Sequence, residues 1–273
     1  MTGSGTPVVT ILMASHNRLA LLKEAVASAM AQDHPDFEIL VVDDGSDEET
    51  RDWLGRTADS CQRLRIVYQS HAGVGEARAR GVREARGELI CVLDSDDHLV
   101  EHALSRLSAE LIADPRTALV HTNILQVLPG GRTDLRRYKS FRTPRAMLSS
   151  TLLSPRLPFK HSGTMFRRSA AVDLGSYDPD LPCKIDIDFY LKFLDAGLLP
   201  RLVPEPLVEF RMHRDSVSRD RILGIRVWFE LIDRYGPSSR IVRAGIKAIR
   251  AFAEVLKLGY MSLAPVDGSK GSA

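Results

Sequence analysis

Three carboxylates fall within four residues at Asp94, Asp96 and Asp97, directly after the apolar run Leu89-Ile90-Cys91-Val92-Leu93. Such a run predicts a strand buried on both faces, as in the middle of a parallel sheet. In open α/β sheets ligands sit outside the carboxyl ends of the strands, so these acids arrive where chemistry is done. Crowded carboxylates repel, and each would have its pKa raised unless a cation offset the charge. Hard oxygen ligands of this kind suit Mg2+ or Mn2+. The local alternative is that Asp96 or Asp97 N-caps a helix expected over 98–113. A cap needs one acid, and three are present.

A second acidic pair, Asp186 and Asp188, sits in the segment Ile185-Asp186-Ile187-Asp188-Phe189-Tyr190-Leu191-Lys192-Phe193. Helical spacing puts Asp188 one turn from Lys184 and Lys192, a surface ion-pair arrangement. Asp186 shares its side with Phe189, Tyr190 and Phe193, which would shield it from water and tune it as a general base. The plain alternative is a helix-opening Asp favoured by the helix dipole.

Alternating strands and helices must position these groups. An apolar strand over 8–13 ends in Ser15-His16-Asn17-Arg18, and a helix over 19–32 carries Leu22, Val26 and Met30 on one stripe. A second strand over 37–42 ends in Asp43-Asp44-Gly45-Ser46, with Ser46 and Glu49 at capping-box spacing. A third strand over 64–69 leads to a helix bearing Arg78, Arg80, Arg83 and Arg86, and then to the strand before Asp94. The order predicts a doubly wound α/β sheet with right-handed crossovers. No Gly-x-Gly-x-x-Gly follows the first strand, which argues against a dinucleotide cofactor.

Asp94-Ser95-Asp96-Asp97 after its strand resembles the DxD signature of GT-A-fold glycosyltransferases, specifically the inverting family 2. The run from Gln32 through Asp43-Asp44-Gly45-Ser46 is similar to the opening of that family. The resemblance implies a GT-A domain over 1–218, with a nucleotide-binding half over 8–97 and an acceptor half over 98–218. A helical extension and a short tail follow over 219–273. It assigns the donor nucleotide to Ser15, His16, Asn17, Asp44, Arg78, Asp94, Ser95 and Arg211, with Asp44 bonding the base and Arg78 near the diphosphate. Arg78 stands in Ala77-Arg78-Ala79-Arg80-Gly81, where the family usually has Asn at the position of Ala79. Asp96, with Asp94 and His213, would hold the cation, His213 contacting either the metal or the leaving diphosphate. Asp186 aligns with the family's catalytic base, although Ile185 replaces the usual Glu before it. His161 and Ser162 open a strand expected to reach the acceptor side.

The implied reaction is metal-dependent transfer of a sugar from a nucleotide-diphosphate donor to an acceptor hydroxyl, with inversion. UDP is the first expectation, with dTDP and GDP open; the acceptor could be a glycan, a lipid-linked sugar or a small molecule. The setting would be bacterial glycan, polysaccharide or glycoconjugate biosynthesis. Two rivals are a catalytically silent GT-A-like binding module and a sugar nucleotidyltransferase. The latter usually carries a Gly-rich basic loop after its first strand, and Ser15-His16-Asn17-Arg18 is not one.

Composition narrows the setting. A net charge of +2 over 273 residues gives no field for nucleic acid. Cys61, Cys91 and Cys183 share no ligand or disulfide spacing, which fits a reducing compartment. The first residues lack the basic and apolar regions of a secretory signal, and no apolar run has the roughly 18 residues of a spanning helix. The expectation is a cytoplasmic protein. The C-terminal segment 221–260 reads as helix with a break at Gly236-Pro237, and Arg240, Arg243, Lys247 and Arg250 recur at helical spacing. That stripe is either a solvated face or a peripheral contact with the inner face of an anionic membrane.

Overall fold

Apolar runs and amphipathic segments alternate through the first hundred residues, and the computed structural model arranges them accordingly. It describes residues 8–128, 130–212 and 221–263, the side chains of 221 and 255–263 excepted. The first half runs β1 (Val9–Ser15), α1 (Leu19–Met30), β2 (Phe37–Asp44), α2 (Glu48–Ser60), β3 (Leu64–Gln69), α3 (Val74–Glu84) and β4 (Leu89–Val92). These four strands are parallel, in the order β3-β2-β1-β4. Their apolar side chains alternate between two cores. Leu12, Leu40, Val42, Ile90 and Val92 face one core, shared with α3. Val9, Ile11, Met13, Ile39, Val41 and Cys91 face the other, shared with α1 and α2. Burial on both faces explains why these strands read as unbroken apolar runs.

The second half adds β5 (His98–Leu99), α4 (Ala103–Ala113), β6 (Leu119–Val127), β7 (Thr133–Arg136), α5 (Pro144–Leu153), β8 (Met165–Arg167), α6 (Arg168–Asp173), α7 (Ile185–Asp195), β9 (Arg201–Arg211), α8 (Arg221–Tyr235) and α9 (Arg240–Leu263). The sheet continues β4-β8-β6-β9-β5, with β7 paired to β6. β8 runs antiparallel to both β4 and β6, and β6 is parallel to β9. The sheet is therefore mixed, with its parallel half at the acidic turn.

Register levels the carboxyl ends. Ser15 pairs with Asp43, and Leu12 with Val92, so the residues after β1, β2 and β4 emerge along one edge. Two glycines set how closely α3 approaches. A Cβ on Gly81 would lie 2.2 Å from Leu12 Cδ1 of β1. A Cβ on Gly75 would lie 3.2 Å from the Asp178 carbonyl and 3.5 Å from Ile185 Cγ2, so its absence seats the start of α3 against the start of α7.

Five sequence expectations change. The helix expected over 98–113 begins at Ala103, because His98 and Leu99 pair with Glu209 and Val208 of β9. Its N-cap is His102, so neither Asp96 nor Asp97 caps it. The α2 cap is Asp47, which accepts from the Thr50 amide at 2.9 Å, while Ser46 Oγ accepts from the Asn17 amide instead. Asp188 is no surface residue: it is sealed from solvent, 3.1 Å from Lys192 Nζ, and accepts from Tyr235 of α8. Apart from the exposed Arg240, the basic stripe of α9 is no solvated face either. Arg250 is buried against Trp228 and donates to the Thr151 and Leu152 carbonyls, and Lys247 pairs with Asp233. Val227, Trp228, Leu231, Ile232 and Ile246 join the α7 core, so the C-terminal helices share the domain's interior.

Candidate active site

The turn after β4 gathers the acids. Asp94, Asp96 and Asp97 each offer one oxygen, all within 4.8 Å of one another. Three like charges at that spacing need cations, and basic side chains converge on them. Arg78 pairs with Asp94, and Lys160 Nζ lies 4.0 Å from its other oxygen. Burial works to raise the Asp94 carboxyl, but Arg78 and then Lys160 outweigh it and hold it at about 2. Arg18 Nη1 lies 2.8 Å from Asp96 Oδ2. Asp97 is fully buried, and burial, reinforced by Asp94 and Asp96 against the pull of Lys160, pushes it up to about 7. Its Oδ1 accepts from the Arg211 amide at 3.2 Å, while Oδ2 has no hydrogen-bond partner among the described residues. A hard divalent cation fits this all-oxygen set and would satisfy that buried atom.

Arg211, at the end of β9, wraps the turn from the far side. Its Nε donates to the Asp96 carbonyl at 2.9 Å and its guanidinium pairs with Glu24. His213 lies outside the described residues.

The ends of β1 and β2 build the neighbouring wall. Asn17 and Arg18 are both left-handed, with φ of 58° and 60°, an uncommon pair for residues other than glycine. Hydrogen bonds lock the turn: the Asn17 amide to Ser46 Oγ at 2.8 Å, and the Asp47 amide to Asn17 Oδ1 at 2.9 Å. His16 Nδ1 lies 2.7 Å from the Asp44 carbonyl, and its ring stands 4.1 Å from that of His71. The Asp44 carboxylate accepts from the amides of Ala72 and Gly73 and from Gln69, which braces the loop between β3 and α3. Burial would raise that carboxyl; these bonds and His71 hold it below the usual value. Asp43 is also buried, yet neither of its oxygens has a hydrogen-bond partner among the described residues.

Asp186 stands in the first turn of α7, half-buried, beside the aromatic wall of Phe189, Tyr190 and Tyr177. Arg78 pairs with Asp94, and the charges of Asp94 and Asp186 both stabilise its guanidinium against burial. Tyr177 lies under Arg78, 5.9 Å from ring centroid to guanidinium carbon. Its hydroxyl meets His161 Nε2 at 2.8 Å.

The site therefore unites Arg78, Asp94, Asp96, Arg211 and, across Arg78, Asp186. Ser15, His16, Asn17 and Asp44 line the adjoining strand ends. Ser95 is buried in the acidic turn, and so are His161 and Ser162 beneath it. Ser162 Oγ accepts from the Asp94 amide at 3.2 Å and so braces the turn from below. Sequence reasoning gave no role to Arg18, Lys160, His71 or Tyr177. Lys160 directly precedes His161-Ser162, and Arg18 closes the first polar turn, so adjacency was the available signal.

Comparison with known proteins agrees. The family model described as "Glycosyl transferase family 2" matches residues 10–175. Chondroitin synthase of Pasteurella multocida (strain Pm70) is 26% identical over 196 residues, covering 72% of this chain and 20% of that protein. The putative teichuronic acid biosynthesis glycosyltransferase TuaG of Bacillus subtilis (strain 168) is 24% identical over 225 residues, covering 82% and 86%. This chain thus spans 20% of the synthase's length but most of TuaG's. S. aureus TarS 1–349 in complex with UDP-GlcNAc superposes with a TM-score of 0.69 at 16% identity, covering 95% of this chain and 76% of that one. The mannosyltransferase PcManGT of Pyrobaculum calidifontis, in complex with GDP-Man and Mn2+, gives 0.64 at 19%, covering 96% and 77%. These structural likenesses show a shared fold.

Proposed function

Since the chain belongs to glycosyl transferase family 2 and has its GT-A fold, we propose that it moves a sugar from a nucleotide diphosphate to an acceptor hydroxyl, inverting the anomeric centre. The observation that carries this reading is Arg78, which pairs with Asp94 in the acidic turn and is also favoured by the charge of Asp186. One guanidinium joins a cation-binding turn to a carboxylate that can act as a base.

Mg2+ or Mn2+, held by Asp96 with Asp94 and Asp97, would supply positive charge to the leaving diphosphate. The chain's own cations add to it. Arg78 and Lys160 border the same acids and would meet phosphate oxygens, a guanidinium doing so in bidentate fashion. Arg211, tied to the backbone of Asp96, holds the turn in place. The acceptor hydroxyl would lie against Asp186, which takes its proton as the oxygen attacks. Phe189, Tyr190 and Tyr177 keep that face dry. His16 and His71 would lie along the nucleotide base, and buried Asp43 and Asp44 close the wall beneath them.

UDP-sugars come first as donors, supported by the neighbour that holds UDP-GlcNAc; the GDP-Man complex keeps guanine donors in view. Relatives named for chondroitin and teichuronic acid support a role in bacterial polysaccharide synthesis. Among the described residues no helix is long and apolar enough to cross a membrane.

A panel of nucleotide sugars, screened by thermal shift with and without Mn2+, tests the donor assignment. The C1 coupling constants of the product report its stereochemistry. A retained configuration would overturn the single-displacement reading.

A further inference from the structure

Helix α9 is inside out. Ile241, Val242, Ile249 and Phe252 are exposed by 85, 50, 51 and 64%, and every other exposed side chain between 241 and 252 is Ala or Gly. Beyond the exposed Arg240, the charges from 243 to 254 point inward. Arg243 donates to the Pro237 and Ser238 carbonyls, Lys247 pairs with Asp233, and Arg250 is held by α5 and Trp228. Glu254 is buried as well. These contacts fix the helix's rotation, so the apolar face cannot turn into the core without breaking them.

We infer that the outward face of α9 seats this protein on an anionic lipid bilayer. Two observations choose that occupant. The first is the width of the face: at 100° per residue the exposed positions cover an arc of about 160°. A single partner helix needs only a narrow seam, whereas the acyl boundary of a bilayer accepts a broad apolar face. The second is charge. From Leu135 to Lys160 there are seven basic residues and no acid, and the only acid of α9 is the buried Glu254. Arg137, Lys139, Arg142, Arg145 and Arg156 are exposed. Arg145, Ser149 and Leu153 share the exposed stripe of α5, and Arg250 pins α9 to the end of that helix. The cations of α5 therefore begin about 10 Å along the helix from the junction with α9, a little over the Debye length of about 8 Å at physiological salt. A second copy docking here would bring two such basic segments together, while anionic headgroups attract them.

Co-sedimentation of the full chain with phosphatidylcholine vesicles, with and without phosphatidylglycerol, tests this. Binding should require the anionic lipid and weaken as salt rises. Ile249→Glu and Phe252→Glu, at exposed positions, should each reduce bound protein roughly ten-fold while leaving the melting midpoint and activity on a soluble acceptor unchanged. Arg142→Glu with Arg145→Glu should weaken binding further. Absence of co-sedimentation at low salt would overturn the inference. So would light scattering showing a dimer that Phe252→Glu dissolves, because a second copy would then cover the face. Binding that survives both α9 substitutions would equally refute the apolar seat.

Discussion

The phenol of Tyr235 donates a 2.7 Å hydrogen bond to the carboxylate of Asp188, across 47 residues of chain. Lys192 completes the pair at 3.1 Å, and Arg234 stands 3.6 Å away. The C-terminal helices thereby grip α7 two residues from Asp186. The two acids of that helix have opposite environments, one sealed and paired, the other half-open beside Arg78.

Substitution should separate them. Asp188→Ala removes the sealed partner of Lys192 and Tyr235 and should cost about 3–5 kcal/mol in urea unfolding. Asp186→Asn should leave unfolding within about 1 kcal/mol of the parent and donor affinity intact. Its turnover should fall by roughly 10²–10⁴-fold. Near-normal turnover in Asp186→Asn would remove it as the base.

Chelation should act on binding before it acts on catalysis. With EDTA in excess, calorimetric affinity for the nucleotide diphosphate should fall, and added Mn2+ should restore it. Asp96→Ala should lose the Mn2+-dependent part of the affinity while the protein stays folded. Equal affinity with and without EDTA would dissociate the acidic turn from any cation.

Stability should depend on pH through His121. Buried among Tyr138 and Tyr190, it titrates near 4 when folded against an ordinary 6.5, because burial disfavours its charged form. At this site the unfolded chain therefore binds more protons between those values. The contribution of His121 is full above pH 6.5 and lost as pH falls toward 4, while Asp97, raised to about 7, works the other way. The loss from this group should be on the order of 3 kcal/mol. His161 is displaced in the same direction by its burial and adds to the slope. Urea midpoints across that window should fall less in His121→Phe than in the parent.

The parallel half of the sheet was legible because each of its strands is apolar on both faces and ends in polar turn residues. Asp44 and Asp94 stood at those ends, while Arg78, on α3, came from the family resemblance. The acceptor half was harder to read for physical reasons. β5 is two residues long and exists through pairing with β9, so no local pattern announces it. Helical spacing puts Asp188 beside two lysines, but cannot show that Tyr235 and Arg234 arrive from α8 to enclose it. The basic stripe of α9 is real but faces the opposite way, since periodicity reports that a helix has two faces and not which one meets the core. At α2, Ser46 and Asp47 are both competent caps, and a long-range bond from Asn17 decided between them.

The consecutive left-handed residues at 17 and 18 mark a place where this protein gives up robustness for aim. A non-glycine residue held there carries about 1 kcal/mol or more of backbone strain, and the turn keeps it in order to point Arg18 at Asp96. Arg18→Gly would relax the backbone and drop the guanidinium in one step. The variant should hold its melting point, or raise it, while binding nucleotide less well. Selection for heat tolerance alone would therefore drift toward a sturdier but poorer binder at this position.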